Sequence, residues 1–289
     1  MTDILWSTIG IVGGKGEMGR FFAHFFQNKG FRVEVSDLDT PLSNRELVEL
    51  SDIVLFSVPL HLAEKIIEET VPYTRQNQLL MDVSSLKEKP VKAMLKSEAS
   101  VIGLHPMFGP QVSSIKGQTI IACPIRIDKE KKQSVYRLFE SSGARIKETT
   151  PEEHDKMMSI IQVLIHFSTI IMGRTLREMG VSIEESLDYT SPIYRLEMNF
   201  IGRLFAQDPA LYGAIGMLNP HSEEVLRKLH ESFVNYLDII RTKNLEAFIN
   251  DFKKTANFFG PYSPQAMEES GAILDFVING KREKDTKPK

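Results

Sequence analysis

Over the first half of the chain, short apolar runs alternate with segments whose apolar positions recur every three or four residues. The runs at residues 9–12, 31–36, 53–57, 78–83, 100–104, 118–123 and 145–147 read as strands. Helical patterns begin at Phe21 and cover about 61–69, 89–96 and 129–141. Such alternation predicts βαβ units and a mainly parallel sheet. The segment between the second and third strands, around 41–50, is short, so a reduced helix is expected there.

Near residue 150 the pattern changes. Thr150-Pro151-Glu152-Glu153 reads as a helix start, with Thr150 as N-cap, Pro151 in the first helical position and Glu153 completing a capping box. Almost everything beyond it has helical periodicity, broken near Gly180, Ser191-Pro192, Asp208-Pro209, Asn219-Pro220 and Gly260-Pro261. The expected organisation is an α/β Rossmann-type domain, 1–150, followed by an all-helical domain, 151–289. The charged ending at 281–289 is expected to be a frayed tail. The helix after Thr150 is apolar nearly all round between Met157 and Met172 and should be buried. Yet Asp155, Ser159, Gln162, His166, Thr169 and Gly173 recur at spacings of four and three and form one polar stripe. Such a stripe faces either a site or another polar element, because buried polar groups need partners.

Composition narrows the function classes. At 42% apolar and 25% charged the chain is an ordinary globular protein, and its net charge of −3 argues against nucleic acid as a partner. The single cysteine, Cys123, sits in a strand pattern and reads as core, and no Cys/His cluster has metal-site spacing, so no metal is expected. No signal-peptide pattern follows Met1 and no apolar run is near twenty residues long, so a cytoplasmic protein without membrane contact is expected.

The chemistry starts at Gly14-x-Gly16-x-x-Gly19, which follows a strand and opens a helix. In a dinucleotide site the first glycine makes the tight turn, the second admits the pyrophosphate and the third lets helix and strand pack closely. Asp37 follows the next strand, where a carboxylate accepts hydrogen bonds from ribose hydroxyls and repels a 2′-phosphate. That favours NAD over NADP, a preference that Arg32 and Arg45 could qualify. Ligands of open α/β sheets bind beyond the carboxyl ends of the strands. The residues there are Gly13, Gly14, Gly16, Glu17, Met18 and Gly19, then Asp37, then Ser57, Val58 and Pro59, all suited to the dinucleotide, followed by Ser84-Ser85-Leu86-Lys87 and His105-Pro106.

His105 is the acid/base candidate, since an imidazole exchanges a proton near neutral pH; otherwise it is a loop histidine bonded to its own backbone. Ser85 and Lys87 could touch a polar substrate, or Lys87 could be a solvated lysine at a helix start. His24, His61, His154, His221 and His230 read as surface or packing residues. Arg195 and Arg203 lie two turns apart in an apolar helical segment and could hold a dicarboxylate, or pair with Glu197 or Asp208.

Taken together, His105-Pro-Met-Phe-Gly-Pro110, Asp82-Val-Ser-Ser-Leu-Lys87, Glu153-His-Asp155 with His166-Phe-Ser168, and 191–197 with 201–208 make the chain resemble the prephenate dehydrogenases. The likeness is to the dehydrogenase part of the bifunctional chorismate mutase/prephenate dehydrogenases and runs from Ile9 to about residue 270. No mutase helices precede residue 1, so mutase activity is not expected. The resemblance implies NAD-dependent oxidative decarboxylation of prephenate to 4-hydroxyphenylpyruvate, in tyrosine biosynthesis. It implies that His105 accepts the hydrogen bond of the 4-hydroxyl, that Ser85 and Lys87 lie near substrate and nicotinamide, and that Arg203, supported by Arg195, binds a substrate carboxylate. It places His166, with Gln162 on the same stripe, beside the substrate pocket and associates it with tyrosine recognition. It also implies a homodimer formed through the helical domain and makes tyrosine a candidate inhibitor. Arogenate and 4-amino-4-deoxyprephenate are the rival substrates. A non-catalytic NAD sensor is the rival of another class, against which His105, Arg195 and Arg203 together argue.

Overall fold

A computed structural model describes residues 6–285. The first half alternates as the pattern predicts: β1 (Thr8–Val12), α1 (Glu17–Asn28), β2 (Arg32–Ser36), α2 (Asn44–Leu50), β3 (Ile53–Phe56), α3 (Leu60–Thr70), β4 (Leu79–Asp82), α4 (Glu88–Met94), β5 (Ser100–Pro106), β6 (Thr119–Arg126), α5 (Lys129–Glu140) and β7 (Arg145–Glu148). The strands form one sheet in the order β2-β1-β3-β4-β5-β6-β7. Every pairing is parallel except β5 with β6. No helix lies between β5 and β6, and a parallel crossover ordinarily needs one, so the antiparallel pairing follows. The short α2 is held by a capping box between Ser43 and Glu46.

Both faces of the sheet are buried, which is why its central strands are apolar at successive positions. Ile9, Ile11, Ile53, Leu55, Leu79 and Met81 pack on one side with Phe22, Phe26 and Phe139. Val12, Val54, Phe56 and Leu80 pack on the other with Leu47, Ala63, Ile67 and Met94. Cys123 is fully buried, and that burial pushes its thiol pKa up to about 12. The register sets Val12 beside Ser36 and Phe56, Phe56 beside Asp82, and Asp82 beside Gly103. One edge of the sheet therefore collects the turns after β1, β2, β3 and β4 together with the end of β5.

The chain packs as two units. The first holds the sheet and everything up to Gln162, with Ala210–Ser222 added. Helix α6 (Pro151–Met158) therefore packs with the sheet unit, although its periodicity groups it with the helices that follow. The reason is polar: Asp155 on α6 accepts from the backbone N–H groups of Lys87 and Glu88, and Asn219 donates to the Asp155 carbonyl. Thr150 caps α6 by accepting from the Glu153 N–H, but the Glu153 carboxylate turns to Thr149, so only half of the expected box forms.

The second unit holds Val163–Pro209 and the chain from Glu223 on. It contains α7 (Ile165–Glu178), α8 (Ile183–Ser186), α9 (Pro192–Phe205), α11 (Ser222–Arg241), α12 (Leu245–Phe259) and α13 (Tyr262–Asp285), while α10 (Pro209–Leu218) belongs to the first. Residues 281–285, expected to fray, continue α13; residues 286–289 lie outside the described residues.

Helix 151–178 departs from expectation twice. It is long and apolar enough to cross a membrane by length and composition, with a mean hydropathy of 1.4 over eighteen residues, where no apolar run near twenty residues was expected. It is also not buried within the chain: Met157, Ile160, Ile161 and Ile165 are about half exposed. A six-residue π-helical stretch, Ser159–Leu164, interrupts it.

Candidate active site

The glycine turn is built for close approach. The positive φ of +81° falls on Gly13, one residue before the glycine assigned to the tight turn, and a Cβ there would lie 2.3 Å from the Ser57 carbonyl oxygen. At Gly19 a Cβ would meet the Gly13 carbonyl oxygen at 2.2 Å, so only glycine lets α1 start this near β1. Gly13 and Gly14 both donate to the Ser36 carbonyl. Gly16 is the N-cap of α1 and gives no side-chain cap, so the first-turn N–H groups of Glu17, Met18 and Gly19 point outward as donors. Met18 is half-buried against the core, and Glu17 is exposed. Asp37 closes the loop by accepting from the N–H groups of Lys15 (2.9 Å) and Leu38 (2.8 Å). Ser57 follows β3 with its N–H on the Val12 carbonyl, Val58 packs on the core, and Pro59 is the N-cap of α3. A pyrophosphate fits this cradle: bare backbone donors face it and no side chain fills it.

At the end of β5 the structure brings His105 into a buried chain of polar groups. The ring is 4% exposed, and its Nδ1 shares a hydrogen bond with Nε2 of His154 at 2.9 Å. His154 in turn bonds Oδ1 of Asp155 through Nδ1 at 2.7 Å. Asp155 is held by the N–H of Lys87 to Oδ1 (2.7 Å) and the N–H of Glu88 to Oδ2 (3.0 Å). On the other side of His105, Gln162 Nε2 stands 3.5 Å from Nε2, and the buried Gln162 Oε1 has no partner among the described residues. Burial holds the His105 pKa well below its ordinary value, helped by His154 and Lys87. Burial, helped by Lys87, also lowers the His154 pKa, against the bond to Asp155 that raises it. Both imidazoles are therefore neutral at neutral pH, and His105 is a hydrogen-bond acceptor rather than a stored proton.

Periodicity assigns no site role to His154 or Asp155: His154 reads as a surface or packing residue and Asp155 as one member of a stripe. The adjacency His154-Asp155 on a helix start was the available signal. Lys87 needs the opposite correction. Its side chain is fully buried, ion-paired with Asp82, and donates to the Leu104 carbonyl at 2.6 Å, so it is neither solvated nor open to a substrate. It fixes the backbone on which His105 sits. Ser85 is half-buried with no side-chain hydrogen bond among the described residues, whereas neighbouring Ser84 bonds Asp82.

The polar stripe divides by role. Asp155 and Gln162 face the His105 cluster. Ser159 and Thr169 bond carbonyls of their own helix. Gly173 is a packing seam, where a Cβ would lie 2.2 Å from the Phe205 ring. His166, Arg195 and Arg203 belong to the second unit. His166 is half-buried, which lowers its pKa. Arg195 is half-buried and Arg203 exposed on α9, and among the described residues neither takes part in an ion pair, so the pairing with Glu197 is not formed. Ser191 is the N-cap of α9 but makes no side-chain cap bond. Among the described residues no group of three His, Cys, Asp or Glu side chains could hold a metal ion.

A doubly covered, mainly parallel sheet with a glycine cradle after its first strand defines a nucleotide-binding α/β protein, and a buried histidine lies at the end of its fifth strand. Residues 22–148 match the family profile of the prephenate dehydrogenase nucleotide-binding domain and 150–254 that of its dimerization domain, so the chain belongs to the prephenate dehydrogenase family. It is 38% identical over 276 residues to the probable arogenate/prephenate dehydrogenase of Methanocaldococcus jannaschii, covering 88% of this chain and 61% of that one. It is 36% identical to the T-protein of Haemophilus influenzae, covering 91% of this chain and 70% of that one. The chain thus spans well under the full length of both. In fold it is similar to Aquifex aeolicus prephenate dehydrogenase, solved with hydroxyphenyl propionate and NAD+ (TM-score 0.70, 20% identity, 86% of this chain and 96% of that one). It is similar also to Synechocystis arogenate dehydrogenase (TM-score 0.67, 16% identity, 88% and 99%).

Proposed function

We propose that the protein is an NAD-dependent dehydrogenase of prephenate, with 4-hydroxyphenylpyruvate, CO2 and reduced cofactor as products. The observation that carries the proposal is the neutral, buried His105 whose Nε2 faces the Gln162 amide nitrogen at 3.5 Å, with the Gln162 Oε1 left without a partner among the described residues, in a chain with this family's nucleotide-binding domain. NAD, when bound, supplies the hydride acceptor. The Gly13–Gly19 turn would hold its pyrophosphate, Asp37 its adenosine ribose, and Ser57–Pro59 a wall of its site.

His105 does what a neutral imidazole does best, accepting the hydrogen bond of the 4-hydroxyl at Nε2 and then its proton as hydride leaves the same carbon. The carboxylate on the opposite ring carbon departs as CO2, its bonding pair completes the aromatic ring, and the proton returns to the phenol oxygen. Arg203 and Arg195 supply cations for the substrate's carboxylates. Assembly as a homodimer is supported because α7, α9 and α12 carry no buried residue within one chain and, but for the end of α12, lie in residues 150–254, which match the family's dimerization domain. Sedimentation giving twice the chain mass is the expected result, and a monomer at micromolar concentration would overturn it.

The name of the Methanocaldococcus relative favours arogenate as the second reading. Arogenate differs at the side chain and keeps the hydroxyl that His105 would meet. The deciding assay mixes the purified protein with NAD or NADP and, separately, prephenate, arogenate and 4-amino-4-deoxyprephenate, and follows absorbance of the reduced cofactor. Fastest turnover with prephenate and NAD is expected. No turnover of prephenate with NAD refutes the proposal.

A further inference from the structure

We propose that His154 and Asp155 are positioning residues that fix the tautomer of His105, leaving its Nε2 as a bare lone pair. The kinetic part of this inference rests on the function proposed above; the structural part does not. The argument runs along the hydrogen bonds from the fixed end. The Asp155 carboxylate already receives two backbone N–H groups, from Lys87 and Glu88, and an ionised carboxylate can only accept. Its partner at 2.7 Å, Nδ1 of His154, must therefore carry the proton. A neutral imidazole has one N–H, so Nε2 of His154 is an acceptor. The group 2.9 Å from it is Nδ1 of His105, which must then donate. That leaves Nε2 of His105 without a proton, facing Gln162. Each assignment forces the next, and the first is set by backbone. The tautomer of an imidazole is set by the bond its other nitrogen makes, and a base presented in the wrong tautomer is no base. Burial of both rings keeps the chain neutral and hence singly protonated at each link.

Lys87 anchors the device at two points, its N–H on Asp155 and its ammonium group on the carbonyl of Leu104, the residue before His105. Both ends of the relay are thus tied to one residue. A packing role for His154 would need neither its Nε2 nor the 2.9 Å contact.

The test has two arms. In the first, histidine-15N-labelled protein without substrate is examined by long-range 1H–15N correlation at neutral pH. His105 is expected protonated at Nδ1 and bare at Nε2 in the wild type, and to populate both tautomers in His154→Phe. A wild-type His105 protonated at Nε2 overturns the proposal. In the second, His154→Gln and His154→Asn are compared by kcat and KM on whichever substrate the wild type oxidises. The longer amide reaches the Nε2 position and can still accept from His105. The shorter one reaches only the Nδ1 position and keeps the bond to Asp155. The relay predicts that Gln retains at least ten times the kcat of Asn with KM for the diene within about threefold; equal kcat values, or Asn above Gln, overturn it. If the wild type oxidises none of the three dienes, the function proposal fails and the tautomer measurement alone decides the relay.

Discussion

The His105 cluster and the α9 arginines are built on opposite plans. Around His105, each link from Asp82 to Lys87 and from Asp155 to His154 is buried and bonded to the next. On α9, Arg195 is half-buried, Arg203 is exposed, and the flanking Tyr194, Phe200 and Phe205 are more than half exposed. A proton acceptor has to be pre-set in charge state and direction before substrate arrives, and burial with fixed partners does that. The carboxylate clamp proposed for α9 would have to stay available to an anion, and internal ion pairs would compete for it. The contrast separates groups whose work is decided by the fold from groups whose work is decided by what binds.

The largest effect expected from breaking this contrast is at His105. Asn in its place removes the acceptor while keeping a polar side chain of smaller size, and kcat should fall by about 10²–10⁴, the usual contribution of a general base. NAD affinity, measured by fluorescence titration, should not change. A variant near wild-type kcat would remove His105 from the chemistry.

Next comes the anchor. Lys87→Met leaves the Asp82 carboxylate buried with Ser84 as its remaining side-chain partner, and removing one member of a buried ion pair typically costs about 3–5 kcal/mol. Chemical denaturation should show a loss of that size. Adding Asp82→Asn to Lys87→Met should recover part of it, because no uncompensated charge is then left inside. A single variant as stable as the wild type would mean that the pair is dispensable to the fold.

These two residues also show what could be read from the chain. The alternation of strands and helices, the glycine cradle and His105 at a strand end follow from apolar periodicity and turn chemistry, which are local signals. Lys87 in a helix-start context looks like any solvated lysine; only the pairing of β4 with β5 closes space around it and puts Asp82 and Leu104 within reach. His154 was equally opaque, because its partner lies 49 residues away in sequence. The apolar stretch from Met157 to Met172 reads as buried, since periodicity reports an apolar surface without saying whether this chain or another covers it. For the same reason the residues of α9 were legible as a cationic pair in an apolar segment, while their exposure was not.

A smaller effect separates the two regions by kinetics. Arg203→Ala removes a charged hydrogen-bond donor from an exposed position, so the fold should tolerate it, while lost charge-assisted binding of about 1.5–3 kcal/mol raises KM roughly 10- to 100-fold. Thermal melting should stay within a degree or two of the wild type. An unchanged KM would take the clamp away from Arg203, and a large loss of stability would mean that α9 is not as open as its exposure indicates.

The gentlest probe is pH, and its sign follows from the buried imidazoles. His105 and His154 both have folded-state pKa values below the ordinary 6.5, in each case chiefly through burial. Above about pH 7 neither the folded nor the unfolded chain protonates them, and they contribute no pH dependence. As pH falls through 6.5 the unfolded chain takes up protons that the folded chain refuses, so stability drops with decreasing pH, by at most about 1.4 kcal/mol per pH unit for each group. The useful window lies between about pH 6.5 and 5, above the range where paired carboxylates begin to titrate. Denaturation midpoints in that window should decline for the wild type and decline less steeply for His105→Asn, which has one refusing group fewer. Arg203→Ala should parallel the wild type, since α9 contributes no imidazole. Equal slopes for the wild type and His105→Asn would mean that His105 accepts a proton as readily folded as unfolded, and the distinction between a pre-set acceptor and an open clamp would lose its electrostatic half.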